Sequence, residues 1–311
     1  MDGLMQVVWL FLGFVMLIKG ADWFVDGAAG FARRLGIPQL VIGLTIVAMG
    51  TSAPEAAVSI SSALKGSAEI AVGNIVGSNI LNILIILGLT SLFTPLRVAA
   101  STRNYEIPYM ILITVLLVFL GSTGQQIVLW EAVVLLAFFG GYLWYLFRMA
   151  RKQKEAPGQT SGGKPLWILS IYMIAGIGLV VLGSSLTVDG ATGIAKMLGV
   201  SERFIGLTIV AFGTSLPELV TSLIAARKGN ADIAIGNIVG SNIFNILFVI
   251  GTTSLICAVP FEPKFVTDTV IAILSGILLW IGTCRNRELR RGSGIIMLAG
   301  YVLYFIYLCT I

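Results

Sequence analysis

Residues 43–92 return, shifted by 163 positions, at 206–255 with roughly two-thirds identity. The stretch GNIVGSNI is repeated letter for letter, at 73–80 and again at 236–243. This duplication constrains the fold more than any other feature, because both copies are apolar and each carries an acid just after a proline. In the first, VAMGTSAPEAAVS (47–59) holds Pro54 and Glu55; in the second, VAFGTSLPELVTS (210–222) holds Pro217 and Glu218. The match extends upstream, where Val25-Asp26-Gly27-Ala28 falls on Val188-Asp189-Gly190-Ala191. The fold must hold two copies of one unit, in surroundings that accept long apolar runs.

Those surroundings are a bilayer. The chain is 57% hydrophobic and 11% charged, with a mean hydropathy of +0.96, far from the balance of a soluble domain. Apolar runs of about 20 residues, the length that crosses a hydrocarbon core of about 30 Å, recur from end to end. Stretches such as ILITVLLVFL lack the alternation of a β-barrel strand. Hydropathy predicts an all-α membrane protein of ten helices, near 4 to 31, 38 to 65, 69 to 94, 105 to 121, 127 to 149, 166 to 195, 202 to 227, 232 to 257, 266 to 283 and 293 to 310. The N-terminus opens with Asp2 and no basic leader, so the first helix is expected to remain in the mature protein.

RKQKEAPGQTSGGKP, residues 151–165, reads as a flexible linker. It separates a first five-helix unit, residues 1–150, from a second, residues 166–311. A unit with an odd number of spans enters the membrane from opposite sides in its two copies, so the repeats are expected to be inverted. Fifteen of the 20 basic residues, among them Arg33, Arg34, Arg148, Arg151, Lys152, Arg227, Lys228, Arg290 and Arg291, fall on one side. The excess of basic residues in cytoplasmic loops then puts both termini outside and the linker inside. The net charge of +5 is spread over loop ends and forms no stripe for nucleic acid. Cys257, Cys284 and Cys309 stand singly, and there is no histidine, which leaves oxygen as the ligand for any ion handled here.

A carboxylate near the centre of a span costs about 2.5 to 3.5 kcal/mol on insertion scales, so an acid there points to function. Pro54 and Pro217 each remove a backbone donor and free a carbonyl one turn earlier, near Gly50 and Gly213. Helices 2, 3, 7 and 8 are expected to be broken around a midplane ion site, where unwound backbone lines a cavity. Helical spacing puts Thr51 with Glu55 and Ser78 with Asn82 on shared faces, and repeats this with Thr214 and Glu218, Ser241 and Asn245. Two such hairpins facing each other would offer carboxylates, amide oxygens and hydroxyls to a hard cation. Calcium takes six to eight oxygens, and two carboxylates balance its charge. A cage that accepts either one Ca²⁺ or several Na⁺ exchanges them.

Plainer roles stand beside these. The glycines of GNIVG form a small-xxx-small pattern that packs helices. Asn74, Asn79, Asn237 and Asn242 are either ligands or inter-helix hydrogen-bond donors. Hydroxyls such as Thr51, Ser52, Thr214 and Ser215 also bond back to their own helix. Asp26 and Asp189 lie late in their helices, where capping or solvation suits them, and Asp22 stands one turn from Lys19. Glu69 and Asp232 open helices 3 and 8, where negative charge suits the dipole.

GTSAPE with GNIVGSNILN, and GTSLPE with GNIVGSNIFN, closely resemble the two alpha repeats of the Ca²⁺/cation antiporter superfamily, which holds the sodium/calcium exchangers and their prokaryotic relatives. The resemblance spans nearly the whole chain, and the short linker is that of a prokaryotic member. It implies that Glu55 and Glu218 are central Ca²⁺ and Na⁺ ligands. It further implies oxygens from Thr51, Ser52, Thr214 and Ser215, flanking Na⁺ sites at Ser78 and Ser241, carbonyls from Ala48 and Ala211, and a cavity lined by Asn82 and Asn245. The first and sixth helices would be a long tilted pair that slides to switch access. Where some relatives carry aspartate this chain has Asn82 and Asn245, so the charge associated with K⁺ co-transport is absent. Val76 and Val239 stand near the glutamate of proton-coupled relatives, which favours Na⁺ as the coupling ion.

The expected function is therefore Ca²⁺ for Na⁺ antiport in a prokaryotic plasma membrane, with the ions as cargo, no permanently bound cofactor and no obligatory protein partner. A Ca²⁺/H⁺ antiporter is the alternative. A cation channel fits two facing hairpins less well, and the absence of histidine and of a GxGD stretch argues against an intramembrane enzyme.

Overall fold

The computed structural model describes residues 2–152, 164–199 and 211–310. The first unit runs α1 (Asp2–Leu35), α2 (Gln39–Thr51), α3 (Ala53–Leu64), α4 (Glu69–Phe93), α5 (Thr102–Gly124) and α6 (Leu129–Lys152). The second runs α7 (Leu166–Met197), α8 (Ala211–Thr214), α9 (Leu216–Arg227), α10 (Ala231–Ile256), α11 (Pro263–Gly282) and α12 (Arg291–Thr310). Among the described residues eight helices are long and apolar enough to cross a membrane, and the bent pair α2 and α3 makes a ninth if taken as one span. The expected helix 202 to 227 begins outside the described residues, and α8 with α9 is its described part. Most of the expected linker, 151 to 165, also lies outside them, as do Lys154 and Arg203.

The prolines break the helices where their chemistry requires. Ser52 (φ −82°, ψ 6°) separates α2 from α3 at a bend of 46°, and Ser215 (φ −90°, ψ 2°) stands between α8 and α9. Each proline sits in the first turn of the following helix, where its missing N–H has no intrahelical partner to lose. Helices 3 and 8, expected to be broken as well, are not. α4 and α10 each run through a six-residue π-helical stretch, Asn82–Leu87 and Asn245–Ile250, without interruption. Neither contains a proline, so no donor is deleted and the backbone widens instead of breaking.

α1 and α7 are the longest helices, 34 and 32 residues, and they pack antiparallel along a seam of glycines spaced by seven. Gly13, Gly20 and Gly27 face the stretch of α7 that carries Gly176 and Gly183. A Cβ at Gly20 would stand 2.8 Å from the Gly176 carbonyl oxygen, and one at Gly183 2.7 Å from the Leu17 nitrogen. Side chains here would push the backbones apart. The rest of the protein surrounds α4 and α10. Of α10's most apolar window 94% is buried, against 17% for α12, so the repeated GNIVGSNI segments lie at the centre and α12 at the rim.

Two short antiparallel ladders tie the halves together. β1 (Leu96–Arg97) pairs with β4 (Glu288–Leu289), and β2 (Gln126–Ile127) with β3 (Val259–Pro260). Each pair joins a loop of one unit to a loop of the other. Two-residue strands give no hydropathy signal, and none is visible in the sequence.

Candidate cation site

The break before α3 and the break before α9 bring Glu55 and Glu218 to the start of their helices, fully buried, with Glu55 beside α4 and Glu218 beside α10. Each carboxylate is held by a hydroxyl from the opposite unit. Ser52 Oγ donates to Glu218 Oε1 at 2.8 Å, and Ser215 Oγ stands 3.4 Å from Glu55 Oε1. Ser241 Oγ lies 3.4 Å from Glu218 Oε1 and 3.3 Å from the Ala48 carbonyl oxygen, while Ser78 Oγ lies 3.4 Å from Ser215 Oγ. The Thr51 hydroxyl donates to Asn237 Oδ1 at 2.9 Å, and Thr214 stands beside Glu55. Ala211 opens α8.

Four asparagines lock the centre. Asn79 Nδ2 donates to the Asn242 carbonyl and Asn242 Nδ2 to the Asn79 carbonyl, both at 3.2 Å. Asn82 Nδ2 then donates to Asn242 Oδ1 (3.0 Å) and Asn245 Nδ2 to Asn79 Oδ1 (3.1 Å). This network consumes the amide nitrogens and leaves Asn82 Oδ1 and Asn245 Oδ1 without a donor, together with Glu55 Oε2 and Glu218 Oε2. A buried acceptor without a partner costs free energy, so four in matching places form an arrangement suited to an electropositive guest. Among the described residues no three or more His, Cys, Asp or Glu gather. The charge stays at two carboxylates, with neutral oxygens around them, which suits hard cations.

Glu55, Glu218, Thr51, Ser52, Thr214, Ser215, Ser78, Ser241, Asn82 and Asn245 lie at this junction with the Ala48 carbonyl, and the alternatives for the neighbouring asparagines separate. Asn79 and Asn242 serve as inter-helix donors. Asn74 and Asn237 brace the acid helices: Asn74 Nδ2 reaches the Glu55 carbonyl (3.3 Å) and Ser59 Oγ (3.1 Å), and Asn237 Nδ2 the Glu218 carbonyl (3.4 Å) and Ser222 Oγ (2.9 Å). Ser59 and Ser222, absent from the sequence reading, match across the repeat, and that identity was their signal. Ser184 had none. Its hydroxyl donates to the Gly213 carbonyl at 2.7 Å, occupying a carbonyl that the proline was expected to free, while the matching position in the first unit is Ala21.

Glu69 and Asp232 stand in the first turns of α4 and α10, as expected, whereas Asp22 and Asp26 find a partner outside their own helix. Asp22 pairs not with Lys19 but with Lys228 (2.7 Å), which also binds Asp26 (2.7 Å). Lys228 follows α9 in the turn at its end, so tertiary packing supplies a closer cation than the same helix does. Beside α7, a cavity of about 360 Å³ is walled by Pro54, Asp189, Gly213 and Thr214.

Fold and site together define a polytopic membrane protein with a buried, oxygen-lined pair of carboxylates at the contact of two repeated units. The profile of the sodium/calcium exchanger protein family matches residues 5–148 and 168–310, and the chain belongs to that family. It is 40% identical over 315 residues to a putative antiporter, CaxA, of Alkalimonas amylolytica, covering 97% of this chain and 98% of that protein. It is 30% identical over 342 residues to the sodium/calcium exchanger MaX1 of Methanosarcina acetivorans, covering 96% and 97%. Among solved structures, the sodium-calcium exchanger NCX_Mj soaked with 10 mM Na⁺ and zero Ca²⁺ superposes with a TM-score of 0.86 at 32% identity, over 98% of this chain and 99% of that one.

Proposed function

We propose that this protein is a secondary antiporter that exchanges Ca²⁺ for Na⁺ by alternating access, with no catalytic chemistry and no resident cofactor. One observation carries the reading: each buried carboxylate is held through one oxygen by a serine of the other unit, while its second oxygen has no donor. Ca²⁺ neutralises both acids at once, and Na⁺ ions do so in number. Empty, the pair is costly inside the membrane, so the protein resists crossing between states without cargo.

In this reading Glu55 and Glu218 are the shared ligands. Thr51, Ser52, Thr214, Ser215, Ser78, Ser241, Asn82 and Asn245 supply further oxygens, with the carbonyls of Ala48 and Ala211. The two units form ten spans as inverted five-helix repeats, with both termini outside a prokaryotic plasma membrane and the linker inside. The cavity beside Asp189 then faces outward, which is the side from which cargo reaches Thr214 and Glu55.

Ca²⁺ uptake into proteoliposomes tests the proposal. A Na⁺ gradient is expected to drive it and a pH gradient alone is not. The opposite result assigns the protein to Ca²⁺/H⁺ antiport, and unitary currents would make it a channel.

A further inference from the structure

Asp189 is the charged residue in the wall of the cavity beside α7. This cavity lies between α3, which contributes Pro54, Ala57 and Val58, and the face of α7 that carries Ser185 and Asp189, and it reaches Gly213 and Thr214 of α8. Asp189 is exposed, and among the described residues no cation pairs with it. Thr214 stands beside Glu55 and marks the inner end. Ser184, whose hydroxyl holds the Gly213 carbonyl, fixes the level of that end on α7. Asp189 lies five residues further on, about 7.5 Å along the helix at 1.5 Å per residue. That separation is within the Debye length of about 8 Å at physiological ionic strength.

The matching acid of the first unit is placed differently. Asp26 is bound by Lys228 at 2.7 Å, so contact cancels its charge. Lys65, which matches Lys228 across the repeat, makes no ion pair with Asp189, whose charge faces the cavity. The apolar walls, formed by Val58, Val181 and Val188, focus such a field inward instead of screening it. A cation responds in proportion to its own charge. Where the acid concentrates a monovalent ion by a factor f, it concentrates a divalent one by f squared, because the interaction energy doubles inside an exponential. At about 7.5 Å in a water-like dielectric and low ionic strength, f is about two.

We propose that Asp189 is a specificity-determining residue that draws cations into the cavity and, through this square, favours Ca²⁺ over Na⁺ before either reaches Glu55. It acts at a distance and is not a ligand of the bound ion. The two ions are those of the antiport reading, on which the preference rests, whereas the field itself does not depend on that reading.

Charge-selective labelling of the full chain tests the field directly. The reporter is Val58→Cys, or Ala57→Cys where the first does not fold, in a background of Cys257→Ala, Cys284→Ala and Cys309→Ala. Its rate with a cationic trimethylammonium-ethyl methanethiosulfonate is divided by its rate with the anionic sulfonatoethyl reagent, a ratio in which changes of thiol reactivity cancel. Asp189→Asn should lower the ratio about fourfold, the square of f for reagents of opposite charge. Salt at about 1 M should lower it in the parent and leave the Asp189→Asn background nearly unmoved. In proteoliposome flux at low ionic strength, Asp189→Asn should raise the KM for Ca²⁺ about fourfold and that for Na⁺ about twofold, with kcat unchanged. An unchanged labelling ratio, no reaction with either reagent, or equal rises in the two KM values would overturn the proposal. Uptake of Ca²⁺ by the wild type on a pH gradient alone would sink the antiport reading instead, and the labelling ratio would still decide whether Asp189 sets the field.

Discussion

The two copies of the acid-bearing motif differ at the ends of the molecule. At one end Lys228 binds Asp22 and Asp26 at 2.7 Å each, tying α1 to the turn after α9. At the other, the matching residues are Lys65, Ser185 and Asp189, and no ion pair joins Lys65 to Asp189 among the described residues. A cavity lies beside Asp189 instead. The same contrast reaches the centre, where Ser52 is 2.8 Å from Glu218 but Ser215 is 3.4 Å from Glu55. Near-identical segments thus occupy two different states in one molecule. In a transporter built of inverted repeats, exchanging those states between the halves is the step that moves access from one side to the other.

The comparison breaks most sharply at the carboxylates. If both are needed to neutralise cargo, Glu55→Gln and Glu218→Gln should each lower Ca²⁺ flux in proteoliposomes at least about 100-fold, with an unchanged gel-filtration profile. Near-normal exchange in either folded variant would show that the halves are not equivalent partners and would remove that acid from the site.

A smaller effect separates the two serines. A hydrogen bond to a charged group contributes about 1.5 to 3 kcal/mol, so Ser52→Ala should weaken apparent Ca²⁺ affinity roughly 10- to 100-fold, at about 1.4 kcal/mol per tenfold. The longer contact predicts only a few-fold loss for Ser215→Ala. Equal losses in a flux titration would mean that the two distances describe one exchanging average rather than a standing difference.

The smallest effect belongs to the lysine. Lys228 and its partners are partly exposed, and such pairs contribute about 0 to 1 kcal/mol. Lys228→Ala should therefore shift the balance between access states by no more than about fivefold. A cysteine placed at Val58, in the wall of the cavity beside Asp189, should label more slowly with an impermeant thiol reagent in that background. Unchanged labelling would reduce the bridge to a surface contact.

Much of this was legible in the chain. The duplication located both acids, their hydroxyls and the asparagines, because identity across a repeat separates constrained positions from apolar filler. Composition gave the membrane, and proline chemistry gave the breaks at Ser52 and Ser215. Other features left no mark. Ser184 has no copy in the first unit, the two-residue ladders are too short for periodicity, and the π-helical widening at Asn82 and Asn245 changes hydrogen-bond register without changing hydropathy.

Sequence by itself determined which residues are paired, because a duplicated motif specifies chemistry locally, through spacing along a helix and the donor a proline removes. Only the tertiary structure decided who holds whom. Ser52 serves the acid of the other unit, Asn79 and Asn242 exchange bonds across the junction, and Lys228 outcompetes Lys19 for Asp22. These are contacts between segments about 160 to 200 positions apart, and hydrogen bonds and ion pairs form by distance in space, on which local periodicity is silent.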